Sequence, residues 1–130
     1  MIDSNVLLDL YDVDSEWHVW SKSHLAAAAD SSELAINPII YAEVSIRFET
    51  PDQFDDIFPP EIYHRRALPF SAAFMAAKAH LAYRSRGGVR AATLPDFFIG
   101  AHAAVAGYKI LTRDPRRFRR YFPSVTLISP

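Results

Sequence analysis

Four carboxylates in this 130-residue chain sit where acids do chemistry. Asp3 follows an apolar residue and precedes Ser4-Asn5. Glu43 follows the pair Asn37-Pro38 by six residues. Asp96 follows Leu94-Pro95, and Asp114 lies between the apolar stretch ending at Leu111-Thr112 and Pro115. Brought together, four carboxylates repel one another unless cations hold them. Oxygen ligands without histidine or cysteine partners suit Mg²⁺ or Mn²⁺ and not zinc. A carboxylate cage that leaves coordination positions open on such an ion is what phosphodiester hydrolysis uses, because the ion activates water and neutralises charge on the phosphate. The chain has no cysteine. That excludes a disulfide framework, a zinc-thiolate site and a thiol nucleophile, and it suits a reducing compartment. His18, His24, His64, His80 and His102 show no metal-ligand spacing, and His102 is about 240° around a helix from Asp96.

These acids are positioned by strands and helices in alternation. Ile2-Asp3 reads as the end of a very short strand, and Ser4-Asn5 begins a helical turn through Leu10. Helical spacing of Trp17, Trp20, His24, Leu25 and Ala28 predicts a helix over 15–29. The apolar run 34–36 leads into helix 38–48, because Asn at the N-cap with Pro at the first helical position is a helix start. A short helix is expected over 51–58 and a third strand over 66–68. A helix over 71–86 ends at Gly87-Gly88. The next opens at Thr93-Leu94-Pro95-Asp96 and stops at Gly107. Strand 109–112, a short helix opened by Asp114-Pro115 and strand 125–128 complete the chain. This alternation argues an α/β fold with a parallel sheet covered on both faces, in which ligands gather at the carboxyl ends of strands. Asp3, Asp96 and Asp114 fall at strand ends or helix starts, and Glu43 about one turn into its helix.

Composition is that of one globular domain spanning 1–130: half the residues are apolar and 13% aromatic, which excludes disorder. No run of 18 apolar residues and no signal peptide is evident, so the expectation is a cytoplasmic protein without a membrane span. Charge is sharply segregated. Residues 1–61 carry two basic and thirteen acidic side chains, net −11, whereas residues 62–130 carry twelve basic and two acidic ones, net +10. Either the halves pack together and neutralise each other, or the basic half meets a polyanion. Arg113, Arg116, Arg117, Arg119 and Arg120 form the densest basic run, and Arg84, Arg86 and Arg90 flank Gly87-Gly88. Both clusters are candidates for RNA-backbone contact, with a solvated face as the alternative. Trp17 and Trp20 are expected in the core or an interface. Gly100, one turn after Asp96, would leave room beside the site or serve packing.

Each acid also has a purely structural reading. Asp114-Pro115 is an N-cap with a favoured following residue, and Thr93…Asp96 resembles a capping box. Glu43 and Arg47 are spaced as a helical ion pair, and Asp3 could be solvated.

Four stretches together resemble the PIN-domain family: Asp3-Ser4-Asn5-Val6-Leu7-Leu8; Asn37-Pro38-Ile39-Ile40-Tyr41-Ala42-Glu43; Leu94-Pro95-Asp96-Phe97-Phe98-Ile99-Gly100-Ala101-His102-Ala103; and Leu111-Thr112-Arg113-Asp114-Pro115-Arg116-Arg117-Phe118. They occur in order along the whole chain, and the resemblance is strongest to the VapC toxins of bacterial VapBC toxin–antitoxin pairs. It implies a three-layer α/β/α sandwich whose four to five parallel strands run in the order 3-2-1-4-5. It implies Asp3, Glu43, Asp96 and Asp114 as catalytic metal-site acids for Mg²⁺ or Mn²⁺. Asn5 and Ser4 would orient Asp3, and Thr112 would order the fourth acid's loop. Arg113, Arg116, Arg117 and Arg86 would contact RNA. The implied activity is an endoribonuclease leaving 5′-phosphate and 3′-hydroxyl ends, in the bacterial cytoplasm. Its implied partners are a VapB-like antitoxin and a second copy of the chain as a homodimer. Two departures are visible: only Met1 and Ile2 precede Asp3, and position 4 is Ser where Thr is common.

Two other functions compete. One is a PIN-like module that binds RNA or protein without cutting. The other is an unrelated doubly wound domain, disfavoured because the chain lacks a Gly-rich phosphate loop and an Asp-x-Asp pair on its first strand.

Overall fold

The structure is a computed structural model that describes residues 1–88 and 94–130. Arg90 and the Thr93 end of the expected capping box lie outside the described residues. The described chain runs α1 (Ser4–Tyr11), α2 (His18–Ser31), β1 (Leu34–Ile36), α3 (Pro38–Ser45), α4 (Pro51–Ile57), β2 (Tyr63–Arg65), α5 (Phe70–Ser85), α6 (Leu94–Ala106), β3 (Ile110–Leu111), α7 (Arg116–Tyr121) and β4 (Leu127–Ile128).

The α/β class is as expected, and both strand pairs are parallel. β1 pairs with β2, Leu34 opposite Tyr63, and β3 with β4, Ile110 opposite Leu127. A continuous five-stranded ladder does not form among the described residues. Residues 1–3 run between the two pairs but are too short to make a ladder of their own. Ile2 forms one parallel bridge to Leu111, and its N–H donates to the Ala35 carbonyl at 2.9 Å. The Leu111 N–H donates to the Met1 carbonyl at 3.0 Å, and the Asp3 N–H to the Leu111 carbonyl at 2.9 Å.

The third strand lies earlier than the apolar pattern suggested, at 63–65 in place of 66–68. Its register is set by Tyr63, whose ring packs edge-on to Phe58 with centroids 5.2 Å apart. The Arg66 N–H then closes the pairing on the Ile36 carbonyl at 2.8 Å, so Ala67 and Leu68 fall beyond it. α2 begins at His18 and not at 15, because the Ser15 hydroxyl is engaged by Asp9 and accepts the Trp17 N–H. α7 begins at Arg116 with Pro115 in helical conformation at its N-cap; Asp114 stands one residue outside.

α3 starts as its sequence predicts. The Asn37 side-chain oxygen accepts the Ile39 and Ile40 N–H groups at 3.0 Å each, a cap worth about 1 kcal/mol. The Asn37 amide nitrogen lies 3.2 Å from His102 Nδ1, which is buried on α6. Burial lowers the His102 pKa, in keeping with a neutral ring whose Nδ1 accepts that bond. His102 thus belongs to the packing between α3 and α6. Gly87 and Gly107, with φ of +86° and +71°, end α5 and α6 in the left-handed region that glycine adopts freely.

Two aromatic groups fill the core. Phe54 and Phe58 are buried with Tyr41, Phe48 and Tyr63 around them, and Phe97, Phe118 and Phe122 pack near Tyr83 and Tyr121. Trp20 packs against this core and stacks on His24, as expected of a core aromatic. Gly100 serves packing and not the site. A Cβ there would lie 2.3 Å from Cδ2 of the buried Phe122 ring. We expect Gly100→Ala to lower stability by roughly 1–3 kcal/mol, because a close-packed ring must shift. A second change, Phe122→Leu, should restore part of that loss in thermal melts. A Gly100→Ala protein as stable as wild type would show that the ring has room to move.

Candidate active site

Asp3 is 3% exposed, although a place near the start of the chain had allowed a solvated reading. Its Oδ2 accepts hydrogen bonds from Thr112 Oγ1 at 2.6 Å and Asn5 Nδ2 at 2.7 Å. Ser4 Oγ stands 3.5 Å from its Oδ1. Asn5 Nδ2 also reaches Thr112 Oγ1 at 3.2 Å, and Thr112 Oγ1 accepts the Asp114 N–H at 3.0 Å. The three residues expected to orient the acids thus form one network. It runs from the start of α1 to the loop after β3, and it fixes Asp3 and the backbone of Asp114 together.

Asp3, Asn5, Asp96, Asp114 and Arg117 line a cavity of about 250 Å³. A larger cavity, about 440 Å³, is lined by Ala35, Arg66, Tyr108 and Lys109 among others and holds none of the four acids. Glu43 does not line the smaller cavity but is electrostatically coupled to Asp3 and Asp96. Among the described residues, its Oε2 is buried without a hydrogen-bond partner. No Glu43–Arg47 ion pair forms.

Burial pushes the Asp3 carboxyl up to about 7 against the opposing Thr112 hydrogen bond, and the charges of Asp96 and Glu43 push the same way. Glu43 is raised by burial and by Asp96, with Ser4 holding it down. Asp96 is raised by burial, opposed by the hydrogen bond and charge of Arg117. Asp114 is lowered, first by its hydrogen bond from Arg116.

The arginines divide. Arg117 bonds Asp96 directly, and Arg116 grips Asp114 with two bonds of 2.8 Å. Arg113 is occupied. Its Nε lies 3.1 Å from Asp9 Oδ2, within charge-pairing distance though not aligned as a hydrogen bond, and its guanidinium sits 6.0 Å over the Trp17 ring. Arg86 does not line the cavity; its guanidinium lies 6.0 Å from the Tyr121 ring centroid. Asp9 escaped the sequence reading. It is 3% exposed and takes hydroxyls of Ser15 and Ser21 at 2.9 Å each. The available signal was an acid within the apolar run from Val6 to Leu10.

Among the described residues, no three acids or histidines converge closely enough to enclose a cation as they stand. Asp96 and Asp114 are turned onto their arginines. The donor set nonetheless fits Mg²⁺ or Mn²⁺ in kind: it is all oxygen, and burial together with mutual repulsion raises Asp3, Glu43 and Asp96. Glu43 Oε2 is a buried acceptor with no donor among the described residues.

The PIN domain profile matches residues 1–122, and the chain belongs to the PIN-domain family. Its fold is shared with three solved structures. VapBC2 from Rickettsia felis, solved with a DNA fragment from their promoter, superposes with a TM-score of 0.74 at 16% identity, over 100% of this chain and 97% of that one. VapBC-1 from nontypeable Haemophilus influenzae gives 0.72 at 15% identity over 99% and 96%. DNA-bound VapBC from Salmonella typhimurium gives 0.70 at 17% identity over 99% and 96%. At these identities the likeness speaks for the fold. No curated protein sequence matches the chain. Among the described residues, no helix is long and apolar enough to cross a membrane.

The raised Asp3 carboxyl makes a pH prediction for metal-free protein. The folded state holds the proton up to about pH 7, whereas the unfolded chain gives it up near 3.8. The folded state therefore binds more protons between those values, and stability falls as pH rises through that window. Asp3→Asn removes the effect while preserving the acceptor for Thr112 and Asn5. In EDTA, denaturation from pH 4 to 8 should show wild type losing ground to Asp3→Asn between about pH 4 and 7. Parallel pH profiles would mean Asp3 ionises normally.

Proposed function

We propose that this chain is a divalent-metal-dependent endoribonuclease, the toxin of a type II toxin–antitoxin pair. The observation that carries this reading is the buried Asp3 carboxylate, fixed by Thr112 and Asn5, with Asp96 and Asp114 in the same cavity and the unpartnered Glu43 oxygen electrostatically coupled to it. It is supported by the family and by the VapBC complexes that share the fold.

Asp3, Glu43, Asp96 and Asp114 would hold Mg²⁺ or Mn²⁺. Once bound, such an ion supplies an activated water and neutralises charge on the scissile phosphate. Asn5 and Thr112 keep Asp3 Oδ2 hydrogen-bonded, leaving its Oδ1, which meets only the long 3.5 Å contact from the Ser4 hydroxyl, as the oxygen better placed to serve. Arg117 lines the cavity and Arg116 grips its Asp114 from outside, both with forked donors matched to phosphate oxygens. Arg113 is pinned by Asp9 and contributes through the loop it anchors. A VapB-like antitoxin and a second copy of the chain are the proposed partners, and the bacterial cytoplasm the proposed compartment. A second reading, a module that binds RNA without cutting it, is favoured by one observation: Arg117 and Arg116 already neutralise Asp96 and Asp114.

Cleavage of single-stranded or looped RNA separates the two readings. EDTA should stop it, and Mg²⁺ or Mn²⁺ should restore it. Asp96→Asn should lose most of it, and Thr112→Val should cost about 10- to 100-fold, as loss of a ligand-orienting bond does. Equal cleavage by wild type and Asp96→Asn would place the activity elsewhere.

RNA affinity gives an independent check. Replacing Arg116 and Arg117 by Gln should weaken binding to all sequences alike and flatten the plot of log K against log salt by about 0.7 per lost contact. An unchanged slope would remove these arginines from the RNA face.

A further inference from the structure

Arg117 is a positive group in a place where the proposed chemistry needs a different one. It bonds Asp96, an acid in the first turn of α6, and both line the cavity that holds Asp3 and Asp114. Asp96 Oδ2 is the oxygen engaged. An oxygen held this way has its lone pairs directed at the guanidinium and is a poorer cation ligand, and a cation beside a guanidinium meets like charge. The other arginines at the cavity are differently placed. Arg113 is tied to the buried Asp9 and to Trp17, so it cannot leave without stranding a buried carboxylate. Arg116 grips Asp114 from a side chain that is 85% exposed. The Arg117 side chain is 41% exposed while Asp96 is 26% exposed, so one end of this pair is anchored in the site and the other opens to solvent.

We propose that Arg117 is the resident counter-ion of the site. A divalent cation at either Asp96 oxygen meets its like charge and favours its release, and the released guanidinium is then free for an RNA phosphate, so cation and RNA bind with positive coupling. Without cation, Arg117 offsets part of the repulsion among the acids. With cation at Asp96, that task is taken over and Arg117 has no carboxylate to hold. A phosphate entering the cavity supplies the replacement anion. Linkage then requires the converse: RNA that draws Arg117 away from Asp96 must tighten the cation by the same factor. This inference rests on the metal-dependent reading above.

The test measures Mn²⁺ affinity directly, by the electron paramagnetic resonance signal of free Mn²⁺, on full-length wild type, Arg117→Gln and Arg119→Gln. Arg119 lies on the same helix and bonds Ser129, so it reports the loss of a positive charge without the loss of a site contact. Without RNA, Arg117→Gln should bind Mn²⁺ about three- to fivefold tighter than wild type, the scale of a partly exposed ion pair. Arg119→Gln should stay within about twofold of wild type, being a remote and screened charge. A phosphorothioate RNA oligonucleotide, which resists cleavage, should tighten Mn²⁺ on wild type and not on Arg117→Gln. If wild type and Arg117→Gln bind Mn²⁺ equally, the metal reading stands and the counter-ion role is overturned. Equal tightening in Arg119→Gln and Arg117→Gln would reduce the effect to general field and overturn it too. If RNA tightens Mn²⁺ equally on both proteins, the transfer to phosphate is overturned. If neither protein binds Mn²⁺, the metal reading fails and takes this one with it.

Discussion

The hydrogen bond from the Asp3 N–H to the Leu111 carbonyl sets the geometry on which the site depends. It aligns the end of the Met1–Asp3 segment with the end of β3, so the residue after Leu111 stands beside the Asp3 side chain. That residue is Thr112, fully buried, and its hydroxyl is spent on Asp3 Oδ2. Two residues past Asp3 comes Asn5, and two past Thr112 comes Asp114, whose N–H returns to the same hydroxyl. Strand alignment thus does most of the work of bringing two pairs of motif residues, Asp3 with Asn5 and Thr112 with Asp114, together from opposite ends of the chain. A buried carboxylate costs several kcal/mol unless hydrogen bonds and counter-charge compensate it. Thr112 and Asn5 supply the first, and little counter-charge faces Asp3 itself. The residue of that imbalance is the raised Asp3 carboxyl.

The segregation of charge along the chain resolves into contacts of unequal weight. Arg65–Asp55 and Arg66–Glu33 join the basic half to the acidic half across exposed surface, where such pairs add at most about 1 kcal/mol. Arg113–Asp9 joins the halves at a buried acid and is structural, because removing the arginine would leave Asp9 to two serine hydroxyls. Arg116 and Arg117 pair within the basic half, with its two acids, and both of those acids belong to the site. Packing the halves together therefore explains some of the basic residues and leaves Arg116 and Arg117 of α7 on acids of the cavity.

What the sequence made legible was local. Asn37-Pro38 announced α3 because capping involves neighbours on the chain, and the glycines after α5 and α6 announced its ends for the same reason. The acids were legible because each lies within a run of residues that carries its own context. Long-range choices were not. The register of β2 depends on Tyr63 meeting Phe58, and the pattern of apolar residues pointed three residues too late. Gly100 reads the same whether it makes room for a ligand or for the Phe122 ring, since only the fold brings Phe122 over it. Arg113 looked like its neighbours in a basic run, yet it lines the cavity while paired with a buried acid, Asp9, that lies over a hundred residues away.

α6 and α7 show how the apolar core governs the charged site. Phe122, at the end of α7, seats on Gly100, one turn after Asp96, and Phe118, buried on α7, lines the cavity floor beside Arg117. Phe97 lies next to Asp96 and contacts both Tyr121 and Phe122. The separation of the two helices is thus fixed by ring packing on either side of the Asp96–Arg117 pair. Buried rings tolerate little displacement, since a change of even one methylene is felt in a close-packed interior. Ring packing of Phe97, Tyr121 and Phe122 thus limits how far the α6 and α7 backbones shift here, whereas the side chain of Arg117 reaches partly into solvent. A long side chain on a fixed helix swings between staggered rotamers, so its guanidinium can move several ångströms while the backbone stays in place. Contact with Asp96 and release toward the open side of the cavity are alternatives that need no movement of the helices, and the aromatic packing that fixes α7 is what makes them available.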